Sequence, residues 1–288
     1  MGIDARQVWL DDGPISYSQF SSLKKSIFHS KRLMRKLPWV RNSAVAKRLL
    51  GPFFIYSSSV YCIRTVIGCA GHCSYCAIRF AKGRAFSRPL DDLLSSIQRA
   101  TEGGYREFVL VGDEITAYGL DQPDLDIFDI IFRLLEDRNI DTLYLESFEP
   151  SFMIARFAEV LTMLDSRKIP VFCSSAQSGS DAVLDRMKRK YSAGQYAECM
   201  IEIRRRHPKV LLRGEFIAGF PDESTSDHQA SVQLVRDLKL DFIDAYEYED
   251  RPKTLASRMP NKIPRAVKRE RRRELVRSHW SNVIRGRR

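Results

Sequence analysis

From residue 55 onward the chain alternates between two patterns of apolar and polar positions. Apolar or β-branched runs at 60–67, 107–112, 141–146, 169–175, 210–218 and 241–248 read as strands. Helical periods lie between them, at about 89–103, 124–138, 152–166, 180–206 (broken near Tyr191-Ser192), 225–239 and 264–284. Strands alternating with helices imply an α/β fold, with a parallel sheet and right-handed crossovers. The stretch before residue 55 is polar and basic. It predicts an amphipathic helix near 17–36 (Tyr17, Phe20, Leu23, Ile27, Leu33), interrupted by Pro38 and Trp39, and a short helix over 42–50 ended by Gly51-Pro52. The predicted segments are a basic helical extension (1–55), a core (56–262) and a basic C-terminal helix and tail (263–288).

In parallel α/β barrels the site lies at the C-terminal ends of the strands. The chemistry-bearing residues gather at those ends. A cysteine triplet follows the first predicted strand, Gly112-Asp113-Glu114 closes the second, and Ser147 the third. Gln177-Ser178-Gly179 closes the fourth, Gly219-Phe220-Pro221 the fifth, and Tyr248 the sixth.

Composition narrows the setting. A hydrophobic content of 44% over 288 residues is ordinary for a soluble domain with a sizeable core. No run of about eighteen apolar residues predicts a membrane span, and the start lacks the pattern of a signal peptide. Six cysteines are too few for a disulfide framework, so a reducing cytoplasm without disulfides is expected. The net charge of +11 is uneven: residues 24–48 hold nine Lys or Arg and no acid, and residues 265–288 hold ten against Glu270 and Glu274. Two basic ends flanking a core suggest RNA or an acidic peptide as partner; solvated helical faces are the plainer reading.

The triplet is Cys69, Cys73 and Cys76, spaced C-x3-C-x2-C in Gly-Cys-Ala-Gly-His-Cys-Ser-Tyr-Cys. Three thiolates can hold an iron–sulfur cluster and leave one iron open. A structural zinc wants four protein ligands, and the triplet reaches four only if His72 turns in, which is awkward beside Cys73. His72, His207, His228 and His279 share no spacing and read as surface or loop residues rather than ligands. Cys62, Cys173 and Cys199 fall on three separate elements, which argues against a second shared cluster.

With Tyr75 before the third cysteine, the triplet resembles the signature of the radical SAM superfamily. The chain is most similar to the tRNA and ribosomal-protein methylthiotransferases. The further stretches that carry this resemblance are Gly83-Arg84, Ser87-Arg88-Pro89, Leu110-Val111-Gly112 with Tyr118-Gly119, and Ser147-Phe148-Glu149-Pro150. They continue with Gln177-Ser178-Gly179-Ser180-Asp181, Met187-x-Arg189-x-Tyr191, Gly219-Phe220-Pro221-x-Glu223 and Tyr248-x-x-Arg251-Pro252-x-Thr254. The resemblance implies an open, six-stranded (βα)6 partial parallel barrel, and the strand count agrees. It implies a 4Fe–4S cluster on Cys69, Cys73 and Cys76, with S-adenosylmethionine bound at the open iron and cleaved to a 5′-deoxyadenosyl radical. A reductant such as flavodoxin or ferredoxin is implied as partner.

By the same resemblance Tyr75, Gly112, Gln177, Ser178, Arg189, Glu215 and Phe220 contact S-adenosylmethionine. Their plainer roles are packing for Tyr75 and Phe220, a strand end for Gly112 and a surface position for Arg189. An inward Glu215 needs a partner, and Arg213 is expected to serve only if the strand bends, since the two otherwise share a face. Asp113 and Glu114 stand where the family shows Gln-Asn. Residues 1–55 hold no cysteine, and the family's N-terminal cluster domain and C-terminal RNA-binding barrel are expected to be missing. Methylthio transfer is therefore one expected outcome. Methylation, epimerisation, C–C bond formation or dehydrogenation is another, and a non-catalytic metal-bound nucleic-acid-binding protein a third.

Overall fold

The computed structural model describes residues 12–14, 60–122 and 124–285, with side chains through Asn282; the helices expected before residue 55 lie outside the described residues. Six strands follow one another in parallel: β2 (Val60–Ile67), β4 (Glu107–Gly112), β5 (Thr142–Leu145), β6 (Val171–Gln177), β7 (Leu211–Ala218) and β8 (Phe242–Glu247). Two-residue strands β1 (Gly13–Pro14) and β3 (Phe86–Ser87) pair antiparallel with β2. The ladder runs β2-β4-β5 and then β6-β7-β8. Among the described residues, the two sheets meet between β5 and β6 through the bridge Phe148↔Ser174, the bonds from Leu143 N to Lys168 O and Phe148 N to Cys173 O, and side-chain bonds at Ser174 and Ser175 rather than through a continuous ladder. The fold is thus the expected α/β one, a partial barrel of six parallel strands in sequence order.

The helices are α1 (Ile78–Lys82), α2 (Leu90–Glu102), α3 (Ile127–Glu136), α4 (Pro150–Ala155), α5 (Phe157–Asp165), α6 (Asp181–Arg186), α7 (Ala193–Arg206), α8 (Thr225–Leu238) and α9 (Arg265–Arg285). Reciprocal side-chain caps start three of them: Asp126 with Asp129, Ser192 with Gln195, and Ser224 with Asp227. The helix expected over 152–166 is two, because Arg156 leaves the helical region at φ −117, ψ 38. Expected strands and helices otherwise match within a few residues, while α1, β1 and β3 are too short for periodicity to reveal.

Along β7 burial alternates. Leu212, Gly214, Phe216 and Ala218 face the helices, and Arg213 and Glu215 face the barrel interior. The main core lies on the helix side and includes Ile63, Leu110, Leu143, Phe172 and Phe216. That leaves the interior of the barrel mouth free for polar residues. Helix α9 is packed in place rather than frayed. Leu275, Ser278 and His279 are buried, Lys268 donates to Tyr248 O, and Arg271 pairs with Glu223. Among the described residues no helix is long and apolar enough to cross a membrane.

Candidate active site

The cysteine loop begins where β2 ends. Gly68 has φ +79, and a Cβ there would lie 2.2 Å from the Arg84 carbonyl oxygen, so the turn demands glycine. Gly68 N donates to Asp113 Oδ2 at 2.9 Å, and Lys82 Nζ donates to Asp113 Oδ1 at 2.7 Å. Asp113 therefore staples the loop to β4. At the far side, Ser74 N donates to Met187 O at 3.0 Å and Ala256 N to Ser74 O at 2.8 Å. The loop is tied at both ends to other βα loops, which fixes where its thiols stand.

All six cysteines are free thiols. Cys69, Cys73 and Cys76 all line one cavity of about 480 Å³ at the barrel mouth. Burial pushes the Cys69 thiol up to about 11 and raises Cys76 as well. Burial thus disfavours the thiolate at Cys69 and Cys76, and ligation to a metal would favour it. Among the described residues no three His, Cys, Asp or Glu are grouped for a single metal ion. Three thiols walling one cavity fit the separated irons of a cluster better than one tetrahedral zinc. His72 is exposed beside the loop.

Arg189 links the loop to the cavity. Its side chain is 7% exposed and contacts Glu149 Oε1 at 3.4 Å. It donates to Cys73 Sγ at 3.2 Å and to Ser175 O at 3.3 Å. The strand beneath it is irregular: β6 slips register against β7 between Ser174 and Gln177, and Gln177 takes φ 62. Tyr191 Oη donates to Ala176 O at 2.8 Å and Tyr196 Oη to Ser174 O at 3.0 Å, so side chains of α7 and the turn before it take up carbonyls around the slip. Gln177 is 8% exposed and lines the cavity, and among the described residues its buried Oε1 finds no partner. An acceptor left unpaired at a cavity wall fits a ligand that brings a donor. The cavity volume is also that of a small-molecule cofactor site.

Five of the seven residues expected to contact S-adenosylmethionine line this cavity: Tyr75, Gly112, Gln177, Arg189 and Glu215. Ser178 and Phe220 do not. Ser178 is 1% exposed and lies within hydrogen-bond distance of Ser231 Oγ, and Phe220 is fully buried. Phe220 stands behind Tyr75 in an edge-on contact at 6.4 Å. Gly112 is required by packing, since a Cβ would meet Val66 Cγ1 at 2.6 Å. Glu215 accepts from Ser175 Oγ at 2.7 Å and meets Arg213 at 3.7 Å. The expectation that Arg213 needs a bent strand to reach Glu215 is wrong. The β7–β8 register is unbroken, and long side chains two residues apart on one face meet directly. Arg213 also donates to Asp244 at 2.6 Å.

Sequence reasoning missed Glu146. It lines the cavity and accepts from Gly112 N at 3.2 Å. Its signal was its place, one residue before Ser147 at a strand end. Burial pushes Glu146 up to about 7, opposed by the Gly112 N–H and reinforced by Glu215. Burial likewise takes Glu114 to about 7, opposed by its bonds from Thr116. Two of the histidines read as surface residues are not. His228 on α8 is 2% exposed and bonded to Glu274 of α9 at 2.9 Å, and His279 on α9 is 6% exposed, because α9 docks against α8. Cys62, Cys173 and Cys199 are all buried, on β2, β6 and α7.

A cysteine-loop partial barrel with a polar mouth defines a class, and comparison agrees. The chain belongs to the radical SAM superfamily, whose family model matches residues 63–235. It is 33% identical over 211 residues to a tRNA-2-methylthio-N(6)-dimethylallyladenosine synthase of Coxiella burnetii, covering 71% of this chain and 47% of the relative. The same enzyme of Aliivibrio fischeri is 32% identical over 225 residues, 76% of this chain and 46% of the relative. The chain spans about half the length of these curated relatives. Among solved structures, a radical S-adenosylmethionine methyltransferase of Kitasatospora setae, with cobalamin and a 4Fe–4S cluster bound, superposes at TM-score 0.56 and 16% identity, covering 68% of this chain and 35% of its own. Methylornithine synthase superposes at TM-score 0.55 and 10% identity, covering 86% and 73%. The cofactors of the superfamily are a 4Fe–4S cluster and S-adenosylmethionine.

Proposed function

We propose that the chain is a radical SAM transferase of the methylthiotransferase lineage, acting on RNA or a peptide, with Cys69, Cys73 and Cys76 holding its 4Fe–4S cluster. The observation that carries the reading is the convergence of these three thiols, Arg189 and the unpaired Gln177 on one cavity at the strand ends. When bound, the cluster supplies an electron that cleaves S-adenosylmethionine to a carbon radical able to take hydrogen from an unactivated carbon.

The chain's own residues do the positioning. Tyr75, Gly112, Gln177, Arg189 and Glu215 would hold S-adenosylmethionine. Arg189 also donates to the Cys73 sulfur, a bond that strengthens when that sulfur is a thiolate. Phe220 backs Tyr75, and Ser178 fixes the turn that carries Gln177, since Ser180 N donates to its hydroxyl at 3.1 Å. Glu114 and Glu146, both taken to about 7 by burial, can hold or give up a proton near neutrality at the cavity wall.

A second reading is a different radical outcome, such as methylation or dehydrogenation. It is supported by the spare cysteines. Cys62, Cys173 and Cys199 are buried on three separate elements, and among the described residues they form no second ligand group.

The test is anaerobic reconstitution followed by reduction with dithionite. About four irons per chain and release of 5′-deoxyadenosine from S-adenosylmethionine are expected. Mass spectrometry of bulk tRNA and peptide pools then separates a methylthio gain from other outcomes. A colourless protein with stoichiometric zinc and no cleavage would overturn the reading.

A further inference from the structure

Arg189 is placed by the same turn that places the thiol it touches. Ser74, next after Cys73, donates from its N to Met187 O at 3.0 Å and from its Oγ to Arg186 O at 2.8 Å. Just beyond Met187, Arg189 N donates back to Leu184 O at 2.9 Å. The cysteine loop and the base of the Arg189 side chain are thus fastened to one another. The 3.2 Å between Nη1 and Cys73 Sγ is set by the fold rather than by the free reach of a long side chain.

The guanidinium is largely spent on the protein. Nε donates to Tyr191 Oη at 3.3 Å and Nη1 to Cys73 Sγ. Nη2 donates to Ser175 O at 3.3 Å and meets Glu149 Oε1 at 3.4 Å. The guanidinium carbon lies 5.3 Å from the centre of the Tyr191 ring. A single N–H, on Nη1, is left over. A bidentate grip on a carboxylate needs two adjacent N–H groups. Arg189 can therefore give S-adenosylmethionine one bond, while the rest of its bonding holds it against Cys73.

We propose that Arg189, balanced by Glu149, sets the reduction potential of the cluster held by Cys69, Cys73 and Cys76. The inference rests on the cluster reading above. Reduction adds one negative charge to the cluster and its sulfur ligands. A cation bonded to one of those sulfurs stabilises the reduced state more than the oxidised one, which raises the potential. The Arg189 side chain is 7% exposed, so water and salt screen this charge little. Among the described residues Arg189 is the cation bonded to a sulfur of the triplet, and Cys69 Sγ receives the neutral Gly71 N–H at 3.2 Å. Glu149 opposes Arg189 by returning negative charge to the same place. It too is fixed, accepting from Phe152 N at 3.0 Å and from Ser151 Oγ at 3.1 Å. The potential follows the balance of the two charges. The step is one electron passing from the reductant to the cluster, with no bond made or broken.

The experiment is a redox titration of reconstituted full-length protein with dithionite and mediator dyes, without S-adenosylmethionine. The readout is the electron paramagnetic resonance signal of the reduced cluster, with iron content measured on the same samples. Arg189→Met should disfavour reduction by about tenfold or more, which for one electron is about 59 mV towards negative potential. Glu149→Gln keeps an acceptor for Arg189 and removes the opposing charge, so it should move the potential the other way. Arg189→Lys keeps the charge without the planar fork and should fall between wild type and Arg189→Met. Iron content should stay within about twofold of wild type. If Arg189→Met holds no iron, the shifts in Arg189→Lys and Glu149→Gln decide. Unchanged potentials overturn the proposal, as do shifts of the same sign in the Arg189 and Glu149 variants, which mere loosening of the loop would give. So does a potential that moves only after S-adenosylmethionine is added, which makes Arg189 a clamp for that cofactor alone. A wild-type protein that holds no iron refutes the underlying cluster reading instead.

Discussion

Arg271 offers the sharpest test of how α9 supports the site. Glu223 follows the Gly219-Phe220-Pro221 turn, and its side chain is 1% exposed; Arg271 is 12% exposed and meets it at 2.7 Å. The same carboxylate accepts from Gly219 N at 2.8 Å, and Arg271 also donates to Glu223 O at 2.8 Å. Arg271→Met keeps the aliphatic stem and removes the charge. The carboxylate is then buried without its cation, which costs about 3–5 kcal/mol. For a chain of this size that corresponds to a fall in Tm of roughly 5–8 °C. Burial already holds the Glu223 carboxyl above its usual range, with Arg271 opposing the rise. Removing Arg271 lifts it further, so the loss should be largest at pH 8 and shrink as the pH falls and Glu223 takes a proton. Glu223→Gln in the same background should recover most of the loss. The assay is urea unfolding followed by circular dichroism at pH 5 to 8 for the two single variants and the double. A cost below about 1 kcal/mol, or equal costs of Arg271→Met with and without Glu223→Gln, would refute the reasoning.

Cys73→Ala should abolish iron binding, measured by iron content and the visible spectrum after anaerobic reconstitution. The triple variant Cys62, Cys173, Cys199→Ala should keep its full iron load, and loss of about half the iron would reveal a second cluster. Gly68→Ala should destabilise the cysteine loop by about 2 kcal/mol or more, from left-handed strain and the clash with Arg84 O, and lower iron retention on gel filtration. Glu114 and Glu146 bind protons more tightly folded than unfolded, so they should erode stability as pH rises from about 4.5 to about 7. The double variant Glu114→Gln/Glu146→Gln should flatten that slope in urea unfolding of the cluster-free protein; an unchanged slope would contradict the assignment.

The alternation of strands and helices was legible because the helices bury one face, which leaves a repeat near four, while β7 alternates and β4 and β6 are short apolar runs buried on both faces. The cysteine loop was legible for a different reason: a triplet within eight residues is a local pattern. The placement of cavity residues at strand ends followed from the parallel order alone. What the chain could not disclose were pairings across elements. Arg189 reaching Cys73, Arg271 reaching Glu223 and Glu146 receiving Gly112 N join residues 116, 48 and 34 positions apart. None leaves a periodic trace, because side-chain contacts between strands depend on register and on the slip in β6. The burial of His228 and His279 was decided likewise by the docking of α9, a helix whose composition alone reads as solvated charge. Local patterning determined which elements form and where the thiols sit. Tertiary packing determined which charges face one another, and hence which side chains line the cavity beside the three cysteines.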